Sequence, residues 1–134
     1  MSKTMLQNAE RHLNSLVGRY QFFMPEPDVS TRRGRSLAHL LAQCDFAREV
    51  AHRVLAQPVE INDARARVFL ELADLALETD HLLTLAARQR LIPSPSNEEQ
   101  RWAEVDQAVR RCNELTGRIA AMTQNLTRLV FAGV

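Results

Sequence analysis

The sequence has few of the residues that interrupt regular structure. Its 134 residues include only four glycines and five prolines, whereas a β-sandwich or barrel needs turn residues about every 8–12 positions. Hydrophobic residues make up 46% of the chain and charged residues 25%, the usual balance for a globular domain. The composition therefore argues against a turn-rich all-β fold and a disordered chain, and it predicts one mostly helical domain over residues 1–134.

Long apolar runs and cysteines are also scarce. No stretch approaches the roughly 18 apolar residues that span a membrane, and the N-terminal residues lack the apolar segment of a secretory signal peptide. The two cysteines, Cys44 and Cys112, are then expected to remain reduced thiols. We therefore expect a cytoplasmic protein with no membrane partner.

Four segments carry apolar residues every three or four positions, which is the spacing of one buried face on a helix. Prolines separate the segments, because proline cannot donate the helical hydrogen bond. The face predicted for the first segment consists of Leu6, Ala9, Leu13, Leu16, Val17, Tyr20, Phe23 and Met24. After a polar loop at 29–35, the face predicted for the second consists of Leu37, Leu40, Leu41, Cys44, Ala47, Ala51, Val54 and Leu55.

The last two segments begin near residues suited to capping a helix. Asn62 or Asp63 is expected to cap the third, and Ser96 with Glu99 fits a capping box for the fourth. The fourth segment has steps of three and four, as in a coiled-coil seam, at Val105, Ala108, Cys112, Leu115, Ile119, Met122, Leu126 and Leu129. Because the connections are short, the segments predict an all-α, antiparallel up-down-up-down four-helix bundle.

The third segment is apolar on two sides. Beside its main face, a second row consists of Ala66, Leu70, Ala73 and Leu77. A helix with two apolar sides needs two partners, so either this helix lies centrally in the bundle or Leu70, Ala73 and Leu77 contact another subunit. We favour the subunit contact, because a four-helix bundle normally leaves each helix one face in solvent.

Motifs for catalysis or cofactor binding are missing, including the phosphate-binding loop and the nucleophile elbow. Two Glu-x-x-His pairs, Glu49–His52 and Glu78–His81, have the spacing used by di-iron bundles. On ideal helices these side chains fall about 80–150° from the apolar faces, where inward-pointing ligands are not expected. The sequence therefore favours a protein that is not an enzyme and holds no metal or cofactor.

The positive charges are unusual in kind, because sixteen of the seventeen basic residues are arginines, although the net charge is only +1. Arginine binds phosphate through planar, bidentate contacts, but a GC-rich coding sequence explains the same bias. The candidate phosphate-binding residues are Arg32, Arg33 and Arg35 in the predicted first loop and Arg110, Arg118 and Arg128 on the outer face of the predicted fourth helix. The alternative is that these arginines are solvated, pair with acidic neighbours or cap helix ends.

The stretches 72–92 and 105–119 resemble the second half of the four-helix-bundle proteins related to ribosomal-RNA intervening-sequence proteins. That group includes the accessory variability determinants of diversity-generating retroelements. The order of parts is also similar, with a first helix, a break that contains proline at 23–25, a basic segment and three further helices. The resemblance implies a non-enzymatic, ring-like homo-oligomer, often a pentamer, with a basic surface.

The retroelement members of that family serve a reverse transcriptase and bind its template RNA. This sequence departs from them in its near-neutral charge and in lacking a tryptophan late in the last helix, since Trp102 is the only one. The leading hypothesis is an oligomeric helical accessory protein that binds RNA, a nucleic-acid enzyme such as a reverse transcriptase, or both. The alternative is a protein-only adaptor or small subunit of a larger bacterial assembly.

Overall fold

Four α-helices make up the described part of the chain. The computed structural model describes residues 2–24, 26–56, 61–89 and 95–132, and these ranges contain no strand. The helices are α1 (Ser2–Phe22), α2 (Arg32–Ala56), α3 (Asp63–Gln89) and α4 (Pro95–Ala132). The prediction of an all-α, up-down-up-down four-helix bundle is confirmed.

Helices that follow one another in the sequence run in opposite directions. Glu10 of α1 pairs with His52 of α2, and Asn14 pairs with Arg48. Residue numbers therefore increase along α1 in the direction in which they decrease along α2. The two helices are antiparallel, which is the arrangement that a short connection favours.

Helices that are two apart in the sequence run parallel and also touch. Between α2 and α4, Arg32 bonds to Asp106 and His39 to Asn113, with the same 74-residue separation in both contacts. Within the described ranges α1 contacts α2 and α3 but not α4. The order around the bundle is therefore α1, α2, α4, α3, and α2 touches α3 across the middle.

The predicted apolar faces of α2 and α4 form much of the core. On α4 the prediction is confirmed from Val105 to Ile119, with Met122 partly buried. The side chains of Leu126 and Leu129 lie outside the described residues. Each large apolar side chain that is fully buried contributes about 1.5–3 kcal/mol relative to its exposed state, so burial along these faces is the main stabilising contribution.

Two helix starts differ from the prediction. α2 begins at Arg32, inside the segment expected to be a loop, and α4 begins at Pro95, so Ser96 lies in its first turn instead of capping it. Proline is well suited to the first helical position because its missing N–H has no partner there in any case. The cap on α3 is confirmed, since Asn62 Oδ1 accepts a hydrogen bond from the Arg65 N–H at 2.8 Å.

α3 lies centrally and contacts all three other helices. Ala66 and Ala73 of its second row are buried within the same chain, and Leu70 packs against the core. The expectation that Leu70, Ala73 and Leu77 form a subunit contact is therefore wrong for Ala73, because the chain's own helices already cover it. In this row only Leu77 is exposed, at 37%.

Candidate interaction surface

The part of the connection between α1 and α2 that leads into α2, residues 28–31, is organised by its own hydrogen bonds. Thr31 caps α2, since its Oγ1 accepts from the Gly34 N–H at 3.0 Å and its carbonyl accepts from the Arg35 N–H. Asp28 Oδ1 accepts from the N–H and the hydroxyl of Ser30, and these bonds lower the pKa of Asp28. These bonds order the backbone at residues 28–31, directly before α2.

Gly34 allows this connection to lie directly against α2. A Cβ at position 34 would stand 1.7 Å from the backbone oxygen of Asp28. Gly34→Ala must therefore displace the connection, and we expect a loss of about 1–3 kcal/mol in the free energy of unfolding, measured by denaturant titration. The matched control is Gly117→Ala in α4, where a Cβ meets no atom within 4 Å; it should stabilise the protein by up to about 1 kcal/mol. A Gly34→Ala variant as stable as the wild type would contradict this packing.

Four large apolar side chains are exposed at this end of the bundle. Phe22 is 79% exposed, Phe23 82%, Val29 63% and Met24 43%; together they are called the end patch. The prediction that Phe23 and Met24 are buried is wrong, because α1 ends at Phe22 and helical spacing no longer positions the residues that follow. Single exposed apolar residues are normal, but a group of them is typical of an interaction site.

Arg32 joins the start of α2 to α4. Its Nη2 donates to Asp106 Oδ2 at 2.6 Å, and its guanidinium lies over the Trp102 ring at 4.6 Å from the centroid. Trp102 and Asp106 are one helical turn apart, so they present one face to the arginine. A phosphate would have to compete with the Asp106 carboxylate, and Arg32 therefore has a structural partner already.

Arg33 and Arg35 bind backbone carbonyls. Arg33 Nε donates to the Leu83 oxygen at 3.3 Å, and Arg35 Nη1 donates to the carbonyl oxygens of residues 29 and 30, each at 3.2 Å. Glu26 and Asp28 lie in the same connection and form no ion pair with any residue that the structure describes. Arg32 is already paired with Asp106, and the positive charges of Arg33 and Arg35 are equal in number to the negative charges of Glu26 and Asp28. The segment predicted to be a basic loop is therefore not a basic surface.

The second set of arginines is less engaged. Arg110 and Arg118 are exposed, and neither forms an ion pair within the described part of the chain. Glu114, the acidic residue between them, pairs with Arg111 at 2.8 Å. The side chain of Arg128 lies outside the described residues. Among the candidate arginines whose side chains the structure describes, Arg110 and Arg118 are therefore the ones with no hydrogen bond or ion pair to the rest of the described chain.

An open groove of about 630 Å³ runs between α3 and α4 beside Arg110. Leu75 and Leu82 provide apolar lining, while Glu78 and Glu104 bring negative charge to it. Because both signs of charge lie around an open apolar floor, the groove by itself does not select one class of ligand.

A buried polar cluster fixes the end of α1 that carries the end patch. Asp80 of α3 is only 8% exposed, and its Oδ1 accepts from the Tyr20 hydroxyl at 2.5 Å while its Oδ2 pairs with Arg19. Burial and the hydrogen bond to Asp80 raise the pKa of Tyr20 to about 12. Sequence reasoning missed this cluster, although the apolar neighbours Ala76 and Leu83 lie three or four positions from Asp80 on the same face.

The two Glu-x-x-His pairs do not converge on a common point. Glu49 pairs with Arg53 and His52 with Glu10, and both members of the second pair are exposed on α3. Among the described residues no group of three or more His, Cys, Asp or Glu side chains could hold a metal ion.

Both cysteines are free and buried. Burial raises the pKa of the Cys44 thiol to about 12 and also raises that of Cys112. A thiolate is the reactive form of cysteine, so at neutral pH these residues pack as small apolar groups.

None of the described helices has both the length and the apolar character needed to cross a membrane. No family model, curated protein or solved structure matches this chain. The case for a function therefore depends on the surface features described above, and the family suggested by the sequence pattern stays a prediction.

Proposed function

We propose that this protein is a non-enzymatic helical accessory protein that acts by binding a protein partner through the end patch. The observation that carries the proposal is the exposure of about four-fifths of Phe22 and Phe23 at the end of α1, which the hydrogen bond from Tyr20 to Asp80 ties to α3. Aromatic rings supply much of the energy of protein interfaces, and a preorganised segment loses less conformational entropy on binding. This is the protein-only alternative of the two functions predicted from the sequence.

The charges around the end patch support a protein partner over RNA. RNA affinity depends on uncompensated cations that displace counterions from phosphate, whereas here Arg32 is paired with Asp106 and the other charges balance. A surface that combines aromatic residues, Met24 and arginines has the composition of a protein interface.

The test is affinity capture from the source cell with three tagged forms of the protein. The wild type and Phe46→Ser are expected to retain the same protein partner, and the double variant Phe22→Ser, Phe23→Ser is expected to lose it. Phe46 is a matched control, because it is 37% exposed but lies on α2 outside the end patch. Circular dichroism must show equal helicity in all three. Equal capture by the wild type and the double variant would overturn the proposal.

RNA binding is a second candidate, supported by Arg110 and Arg118 of α4, which are exposed and form no ion pair within the described residues. If Arg110 and Arg118 contact phosphate, fluorescence anisotropy should detect binding to structured RNA at about 50 mM salt and a steep loss of affinity as salt increases. Replacing both with glutamine should weaken binding and flatten the salt dependence, whereas Arg53→Gln, which removes an ion-paired arginine of α2, should have little effect. No binding at low salt would rule this function out, together with the template-RNA role that the family resemblance implies.

A further inference from the structure

We propose that the protein partner at the end patch is a second copy of this chain, related to the first by a two-fold axis. This inference rests on the proposed function and names the partner of that same surface. In such a contact both copies use the same patch. If a residue of the first copy contacts a given residue of the second, the same two residues also contact each other with the copies exchanged. The patch must then be complementary to itself in charge as well as in apolar surface.

The charged side chains around the end patch satisfy this requirement. Arg35 and Glu26 flank it, one at the start of α2 and one in the connection, and both are exposed. Nη1 of Arg35 is used by two backbone carbonyls, which leaves Nη2 to bond outward. Glu26 has no ion pair within the described residues. A two-fold axis can therefore bring Arg35 of each copy to Glu26 of the other, whereas a patch of one sign would repel its own copy.

The apolar surface approaches the area expected of a weak dimer. A buried phenylalanine removes about 150–250 Å² from water, so Phe22 and Phe23 from two copies together bury on the order of 600 Å². Met24, Val29 and the flanking polar side chains bring the contact close to the roughly 1,000 Å² at which specific interfaces begin. We therefore expect dimerisation that depends on concentration.

Sedimentation equilibrium over a range of concentrations measures the self-association. The apparent mass of the wild type should rise from the chain mass of 15.2 kDa towards twice that value. The double variant Phe22→Ser, Phe23→Ser should stay at the chain mass while keeping its helicity. Leu77→Glu, which places charge on the exposed part of the α3 row, should dimerise like the wild type.

A charge exchange tests the two-fold arrangement itself. Arg35→Glu and Glu26→Arg should each raise the dimer dissociation constant, by up to about tenfold, and the two together should restore it. Rescue is specific to a contact across the axis, because Glu26→Arg cannot replace the bonds from Arg35 to its own backbone carbonyls. If the single changes weaken the dimer and the double change does not restore it, the proposed pairing is wrong.

Three outcomes separate this inference from the proposed function. A wild type that stays monomeric, combined with capture of a different protein that the double phenylalanine variant loses, overturns the dimer and leaves the proposed function intact. A monomeric wild type with no difference in capture overturns both. The third outcome is that Leu77→Glu abolishes self-association while the double phenylalanine variant still self-associates. That result would show that the contact lies on α3 and would overturn the inference.

Discussion

Replacing Ile119 with alanine is expected to lower the free energy of unfolding by about 2–5 kcal/mol. Ile119 is fully buried on α4, and its truncation removes apolar contacts and leaves a cavity that the surrounding helices can fill only in part. Urea unfolding followed by circular dichroism measures the change. The matched control is Leu77→Ala, an aliphatic side chain that is 37% exposed, which should change stability by no more than about 1 kcal/mol.

An unchanged unfolding midpoint for Ile119→Ala would contradict the packing described for α4. It would mean that another face of this helix is directed towards the core. A loss for Leu77→Ala as large as that for Ile119→Ala would point to an undescribed contact at Leu77.

Replacing Asp80 with alanine is expected to cost about 2–3 kcal/mol, because it leaves the buried Tyr20 hydroxyl without an acceptor and Arg19 without its carboxylate. Arg19 is half-exposed and can regain contact with water, which keeps the loss below that for breaking a fully buried pair. Denaturant titration again measures the effect. Tyr20→Phe removes the hydroxyl but keeps the pair between Arg19 and Asp80, so it should cost less.

Tyr20 is the only tyrosine in the chain, so ultraviolet titration of tyrosinate observes this cluster directly. Its pKa should be near 12 in the wild type, mainly because of burial, and should be lower in Asp80→Ala, which removes the contribution of Asp80. Because the folded-state pKa is raised, the stabilising contribution is complete below about pH 10 and is lost as the pH rises towards 12. Cys44 titrates in the same range, so the contribution of Tyr20 is the difference between the wild type and Tyr20→Phe. A wild-type midpoint near pH 10 would place the hydroxyl in water.

Helix number, direction and the buried face of α4 could be predicted from the sequence, because they depend on local periodicity. The alternating steps from Val105 to Ile119 determine which side of that helix is apolar, and prolines mark the breaks between helices. The position of α3 in the bundle could not be decided in the same way. Its two apolar sides fit either a central position or a subunit contact, and only the placement of its neighbours shows that Ala73 is covered within the chain.

The features of the candidate site depend on where chains turn and on contacts distant in sequence. The start of α2 at Arg32 is set by the turn at Asp28 and the cap at Thr31, which periodicity does not detect. Arg32 finds its partner Asp106 in α4, 74 residues away. Charge counted along the chain therefore overestimated how basic this end of the bundle is.

The absence of contact between α1 and α4 in the described ranges has a consequence for how the protein opens. Because α2 and α3 touch each other and both outer helices, α1 can detach from them without disturbing α4, and α4 can detach without disturbing α1. Regions with separate sets of contacts open as separate cooperative units. Backbone amides of α2 and α3 should then exchange with deuterated solvent most slowly, and α1, which carries Phe22 at its last turn, can loosen while the other half of the bundle remains folded.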